Sequence, residues 1–179
     1  MLALTQRLNS TKYTREDLLK NVQIKKLNVS DLYYILKILV DCFKIPSMQS
    51  ACDYILRHKV NLFNSLKLVD KRDNQIYGLL LLGEVCISDV SPLTIYNPML
   101  SVILSNLKQL NGVAFIIDER LRGCGLDKKM LYYNMDYINQ FDMVWCGVDE
   151  NLKTHNYWKR NGFFEILNDR MVKFYFRLI

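Results

Sequence analysis

One stretch, Gly112 to Leu131, constrains the fold of this chain more than any other. Its apolar start, Val113 to Ile117, has the composition of a buried β-strand, and the residues after Gly125 have helical spacing. Gly123 and Gly125 lie between the two, where the lack of a Cβ atom lets backbone N–H groups turn toward a ligand. The helix N-terminus behind them adds partial positive charge. The stretch is therefore predicted to form a strand, a phosphate-binding glycine loop and the start of a helix.

Basic side chains flank this loop, as an anionic ligand would require. They are Arg122, Lys128 and Lys129. On a chain with 24 lysines and arginines against 18 aspartates and glutamates, nearby cations alone carry little information. No Lys-Ser or Lys-Thr follows the glycines, and the spacing is not GxGxxG. The sequence therefore argues against nucleotide hydrolysis and dinucleotide binding.

The loop resembles the acyl-CoA pyrophosphate loop of the GNAT superfamily of N-acetyltransferases, whose pattern is [RQ]-x-x-G-x-[GA]. Arg122 and Gly125 match its first and fourth positions, whereas Asp127 departs from the sixth. A second register that begins at Arg120 satisfies all three positions but fits the flanking apolar residues less well. A later block, Asn151 to Phe163, is similar to the family motif N-x-x-A-x-x-[FL]-Y-x-x-x-G-F. The two motifs occur in the order that the family has.

The order of predicted elements and the resemblance imply an α/β (α+β) fold. We expect a GNAT-like mixed, mostly antiparallel central sheet with helices on both faces. Residues 1–21 are predicted to be an N-terminal arm, and residues 22–179 a single acyltransferase domain. Residues 88–110 are a predicted helical insertion between strands that the family joins almost directly. Its expected apolar stripe is Met99, Val102, Ile103, Leu107 and Leu110. This insertion leaves a monomer and a homodimer both open.

The resemblance also implies a set of residues that bind acetyl-CoA as co-substrate. The expected pyrophosphate loop is Arg122, Gly123, Cys124, Gly125, Leu126, Asp127 and Lys128. The strand residues Phe115, Ile116 and Ile117 are expected to offer backbone amides to the pantetheine arm and to the thioester carbonyl. Asn151 and Trp158 are predicted to share a helix face that looks toward the cofactor. A helix cap is the alternative role for Asn151.

The acid and base of the reaction are the least constrained part of the prediction. Many family members have a tyrosine that protonates the departing CoA thiolate where this chain has Trp158, and an indole N–H is not a practical acid. Tyr157 is the predicted substitute if the helix is turned, with water, Tyr132 or Tyr133 as alternatives. Glu84, expected in an apolar strand near the cleft, is the predicted general base, and a structural carboxylate is its alternative role.

Several other functions find no support in the composition. Five cysteines without CxxC spacing indicate reduced thiols, and two distant histidines argue against a metal site. His155 and Asp118 are expected at the surface. The charge of +6 is spread along the chain, which argues against nucleic-acid binding. No apolar run approaches the roughly twenty residues that span a bilayer, so we expect no membrane contact and a cytoplasmic location.

Together these patterns predict an N-acetyltransferase. It would pass an acetyl group from acetyl-CoA to a primary amine, on a small molecule or a protein, by direct attack in a ternary complex. The alternative is a catalytically weak acyl-CoA-binding sensor or interaction module, which the departures at Asp127 and Trp158 favour.

Overall fold

A single mixed sheet forms the centre of the molecule. The computed structural model describes residues 13–90, 98–149, 155–169 and 172–179. Its strands are β1 (Val22–Lys26), β2 (Leu66–Asp70), β3 (Ile76–Gly83), β4 (Gln109–Ile117), β5 (Met143–Asp149), β6 (Phe164–Asp169) and β7 (Val172–Leu178). They lie in the order β1-β2-β3-β4-β5-β7-β6, and only the β4–β5 pair is parallel. The predicted mixed, mostly antiparallel sheet is therefore confirmed.

Helices cover both faces of this sheet. They are α1 (Arg15–Asn21), α2 (Leu32–Phe43), α3 (Met48–Arg57), α4 (Ile87–Val90), α5 (Pro98–Ser105), α6 (Leu126–Tyr133), α7 (Met135–Ile138) and α8 (His155–Arg160). Helices α2 and α3 pack on one face, against Leu79 and Leu81 of β3. Helices α6, α7 and α8 pack on the other, against Leu80 and Leu82. Because successive side chains of a strand point to opposite faces, β3 is apolar at every position and is the central strand that its sequence predicts.

The sheet divides where β4 meets β5. These two strands pair only from Gln109↔Met143 to Asn111↔Trp145. Beyond Asn111, β4 continues to Ile117, and among the described residues it pairs there with β3 alone. We call the point at Asn111 the fork, and the β5-facing side of residues 112–117 the free edge. Backbone groups on a free edge are available to a ligand.

The N-terminal segment that was predicted to be an arm contains the packed helix α1. Thr14 and Asp17 form a capping box, in which each side chain receives a hydrogen bond from the other residue's backbone. Leu18 is fully buried together with Tyr77 and Leu121. Residues 1–12 lie outside the described part of the chain.

The predicted stripe of the 88–110 insertion is wrong. Three of its members are more than half exposed on α5, namely Met99, Val102 and Ile103. The helix instead buries Leu104 in a cluster with Val85 and Trp145. It also ends at Ser105, so Leu110 belongs to β4. The spacing of apolar residues cannot show which of two partly apolar helix faces is packed. Here the packed face is the one that contacts β5.

The helix after the glycine loop is interrupted, although the sequence predicts one helix to about Phe141. The break is at Asn134, which is 3% exposed and donates from its side-chain Nδ2 to the backbone oxygen of Asn64. A buried amide needs such a partner. The chain therefore forms α6 and α7 with a tie between them to the loop before β2.

The sequence predicts that the cysteines are reduced thiols. All five cysteines are free thiols, and Cys42 and Cys146 are buried. Within the described ranges, no helix has the length and apolar character needed to cross a bilayer.

Candidate active site

The segment that leads into the glycine loop is fixed by a buried ion pair. Asp118, expected at the surface, is fully buried, and its Oδ1 lies 2.8 Å from Arg120 Nε. The same oxygen accepts a hydrogen bond from the backbone N–H of Arg120. These contacts close a single turn, Glu119–Leu121, between β4 and the loop. The start of the loop is thereby held rigidly at the end of β4.

The loop itself needs its glycines for their backbone conformation. Gly123 and Gly125 have φ values of +68° and +72°, in the left-handed region that favours glycine. No atom lies within 4 Å of a Cβ built at either position. Strain rather than crowding therefore excludes larger residues in the free protein, and the space around the loop is open.

Charges of both signs surround the loop. Arg122 is half-buried, and burial lowers the pKa of its guanidinium without bringing it near neutral pH. Lys128 is exposed on the first turn of α6, whereas Asp127 is half-buried on the same turn. A carboxylate at a helix N-terminus competes with an anionic ligand, so Asp127 is the residue here that least suits phosphate binding.

The predicted strand residues line the free edge. Phe115 points to the face of α8, and Ile116 points to the face of α2 and α3. From Asn111 to Ile117 the strand extends about 20 Å, at roughly 3.3 Å per residue. The free edge therefore connects the fork with the glycine loop as one continuous row of backbone groups.

Helix α8 brings Trp158 to the free edge. Its side chain is 1% exposed, and its ring lies 6.5 Å from Phe115 and 5.1 Å from Phe163 between centroids. The indole Nε1 is buried without a hydrogen-bond partner in the described part of the chain. A buried donor without a partner is rare and often indicates a site for a ligand or water. Asn151, predicted on the same face, lies outside the described residues.

Tyr157 also lies on the buried side of α8. Its ring meets that of Trp158 edge-on, with centroids 5.2 Å apart, and both pack on the core beneath α6 and α7. The Tyr157 hydroxyl is buried and has no partner of normal hydrogen-bond geometry among the described residues. Burial raises its pKa, and the nearby carboxylate of Asp127 raises it further. The hydroxyl therefore keeps its proton at neutral pH.

Glu84 does not lie inside an apolar strand as predicted. Strand β3 ends at Gly83, and the Glu84 side chain is exposed just beyond it. Its Oε1 accepts hydrogen bonds from Tyr137 Oη (2.5 Å) and Asn61 Nδ2 (3.0 Å), which lower its pKa. Since Gly83 pairs with Asn111, this fixed and ionised carboxylate stands beside the fork.

A pocket of about 570 Å³ opens next to Glu84. Residues 59–63 form its other wall, which includes Lys59 and the largely exposed ring of Phe63. A carboxylate and an aromatic face are groups that hold a cationic amine. On its Glu84 and Phe63 sides the pocket therefore suits a cation, whereas Lys59 opposes one.

A cluster on the opposite face of the fork was missed by sequence reasoning. Asn111 Nδ2 lies 2.8 Å from His58 Nδ1, and the rings of Tyr54 and His58 are 4.3 Å apart between centroids. Because an amide NH₂ only donates, Nδ1 accepts and the imidazole proton resides on Nε2. Burial lowers the pKa of His58 to about 4, so the ring is neutral at pH 7. His58 is therefore a neutral hydrogen-bond acceptor for Asn111, and only the folding of α3 onto β4 brings it to the fork.

The remaining candidates do not form a metal site. In the part of the chain that the structure describes, no group of three or more potential metal-ligating side chains occurs. His155, predicted at the surface, is half-buried, and its Nδ1 lies 2.9 Å from the hydroxyl of Tyr175. It is therefore part of the packing of α8 on β7.

Sequence comparison finds no matching family model and no matching curated protein. Solved structures do match. Agmatine N-acetyltransferase is similar over 89% of this chain and 100% of its own, with a TM-score of 0.66 and 9% identity. A chain of the NatC complex, bound to Gag peptide and CoA, is similar over 89% and 99%, with a TM-score of 0.62 and 14% identity. An acetyltransferase of the GNAT family from Staphylococcus aureus is similar over 88% and 98%, with a TM-score of 0.55 and 15% identity. The chain has the GNAT fold.

Within this GNAT fold, the insertion that carries α4 and α5 stands between β3 and β4. Its buried Leu104 covers β5 and β7 on the face of α2 and α3. The other face of the same strands carries Trp158 and the rest of α8. The two faces of the fork are thus closed by different elements, and the free edge of β4 lies between them.

Proposed function

We propose that the protein transfers an acetyl group from acetyl-CoA to a primary amine by direct attack in a ternary complex. The observation that carries this proposal is the free edge of β4. It leads from an ionised carboxylate, Glu84, to an open glycine loop, and Trp158 packs beside it with a buried N–H that has no partner among the described residues. An elongated ligand with phosphates at one end and a reactive group at the other matches this order of features.

The residues present fit an acyl-CoA on two observed grounds. The loop of Gly123 and Gly125 leaves open space in front of a helix N-terminus, which suits phosphate groups. The buried Nε1 donor of Trp158, which has no partner among the described residues, can gain one from a polar ligand at the free edge. Asp127 is the one side chain of the loop that opposes the fit.

We assign the chemistry to residues by their protonation states. Glu84 accepts a proton from the substrate ammonium, directly or through water, so that the neutral amine can attack, because its carboxylate is ionised and stands at the fork. Backbone amides of Phe115 to Ile117 stabilise the charge that develops on the thioester oxygen. Tyr157 holds a proton for the departing thiolate, and Trp158 packs against the cofactor.

The binding half of the proposal is tested by calorimetry with CoA. We expect a Kd in the micromolar range or tighter. Arg122→Ala should weaken binding about tenfold through loss of charge-assisted hydrogen bonds, and Gly125→Val should abolish it because valine resists a positive φ. Lys26→Ala, an exposed cation on β1, is the matched control and should bind as the wild type does. A wild-type protein that does not bind CoA contradicts the proposal.

The catalytic half is tested by screening primary amines with detection of released thiol. Asp127 and Trp158 favour a second candidate, an acyl-CoA binder without turnover, because both depart from the family motifs. Tight CoA binding without thiol release from any amine would support that candidate. The names of the similar structures include agmatine and a peptide complex, so the screen should contain both small amines and peptide N-termini.

A further inference from the structure

The N-terminal helix α1 lies directly against the glycine loop. Arg15, its first residue, donates from Nη2 to the backbone oxygen of Arg122 over 3.2 Å and to Cys124 Sγ over 3.1 Å. The Cys124 thiol donates to the same oxygen over 3.4 Å. Two donors therefore hold the carbonyl of Arg122 on the side of α1.

The helix that carries Arg15 is itself anchored to the segment before the loop. Leu18 is fully buried against Leu121, and Arg120 donates from Nη1 to the backbone oxygen of Tyr13 over 3.1 Å. The capping box at the helix start fixes its first turn. Arg15 therefore contacts the loop from a helix that is itself packed against the protein.

The peptide bond between Arg122 and Gly123 links this contact to the direction of the Gly123 N–H. In a trans peptide the C=O and the following N–H point in opposite directions, and no peptide bond among the described residues is cis. With the Arg122 oxygen turned to α1, the N–H of Gly123 points away from α1. Gly123 is exposed, and open space surrounds it.

We propose that Arg15 is a positioning residue for phosphate binding. By holding the Arg122 carbonyl against α1, it keeps the Gly123 N–H turned toward the phosphate groups of the ligand. A guanidinium suits this role because its planar donors reach the oxygen and the sulfur together. The inference rests on the proposed function for the identity of the ligand, CoA, and it makes α1 a part of the cofactor site.

The first test measures CoA binding by calorimetry. Arg15→Gln should raise the Kd about 3- to 10-fold, the usual effect of one lost hydrogen bond on binding. Lys20→Gln removes the same charge from the exposed end of α1 and should change the Kd less than about twofold. The dependence of Kd on salt should be the same in Arg15→Gln as in the wild type. A weaker salt dependence would mean that Arg15 pairs with the phosphate itself and would overturn the positioning role.

The second test needs no ligand, so it separates this inference from the proposed function. Backbone order parameters measured by NMR should fall at Gly123 and Cys124 in Arg15→Gln, from the rigid value of about 0.85 toward 0.6. The order parameters should fall less in Arg15→Lys, which keeps a cationic donor, and the unfolding temperature should match the wild type in both variants. Unchanged order parameters would overturn the inference. Lowered order parameters in a protein that does not bind CoA would leave the positioning role standing and remove the proposed function.

Discussion

At the scale of single residues, the most informative side chains are the two adjacent aromatic residues of α8. Burying a donor without a partner costs about 1–3 kcal/mol, and a stable fold keeps such groups only for a reason. Trp158 Nε1 is in this position, and Tyr157 Oη has the carboxylate of Asp127 nearby but no hydrogen bond of normal geometry. They differ in chemistry, since a phenol can release a proton to a thiolate and an indole cannot.

Replacing Tyr157 separates its structural role from its chemical role. Tyr157→Phe should lower kcat by roughly 10- to 1000-fold with CoA affinity nearly unchanged, because general acids commonly contribute 10²–10⁴. The free energy of unfolding should change little, since the variant removes a buried hydroxyl that makes no hydrogen bond of normal geometry. Trp158→Phe is the matched control and should act mainly on CoA binding. Steady-state kinetics and urea unfolding measure both effects, and an unaltered kcat with rate-limiting chemistry would exclude Tyr157 as the acid.

His58 gives a pH dependence of stability with a definite sign. Burial and the charge of Arg57 hold its folded pKa near 4, below the value of about 6.5 expected in the unfolded chain. Between these values the unfolded state binds a proton and the folded state does not, so stability falls as pH decreases from 6.5 to 4. The loss is on the order of 3 kcal/mol. Urea unfolding of His58→Gln should show a shallower loss than the wild type over this range. Parallel curves would mean that His58 is protonated in the folded protein.

At the scale of elements, α5 provides a test of which helix face is packed. Leu104 is buried against β5, whereas Val102 is 63% exposed. Leu104→Ala should cost about 2–4 kcal/mol of unfolding free energy through lost burial and the cavity it leaves. Val102→Ala is the matched control and should stay within about 0.5 kcal/mol. Similar losses in both variants would mean that the opposite face of α5 is covered.

The elements also show how far sequence reasoning extends. The strand, loop and helix around Gly123 and Gly125 are local, so hydrophobic period and glycine placement predict them directly. The packed face of α5 depends on the neighbouring β5, and the break at Asn134 depends on the backbone of Asn64. The hydrophobic period of a sequence does not show either neighbour. Arg15 and His58 reach the site only through tertiary packing, since the residues they contact are far away in sequence. The strand, loop and helix could therefore be predicted from the sequence, whereas the contacts of Arg15 and His58 could not.

At the scale of the whole molecule, the sheet is joined at one end and open at the other. Strands β4 and β5 share three residue pairs before the fork, after which β4 has a strand neighbour on one side only in the described part of the chain. In an edge strand about half of the N–H groups point away from its partner. Those of the free edge are consequently without a strand partner, even though this strand runs through the middle of the sheet order.

Hydrogen–deuterium exchange tests this architecture together with the proposed ligand. In the free protein, a peptide covering residues 112–117 should retain about half of its amides, whereas a peptide covering β3, paired on both sides, should retain nearly all. CoA should slow exchange in the 112–117 peptide and in the glycine loop, because its polar groups take the place of the missing strand. Exchange in β1, remote from the fork, is the internal control and should not change beyond any global stabilisation. Full protection of residues 112–117 in the free protein would contradict the free edge, and protection by CoA only in other regions would place the cofactor away from it.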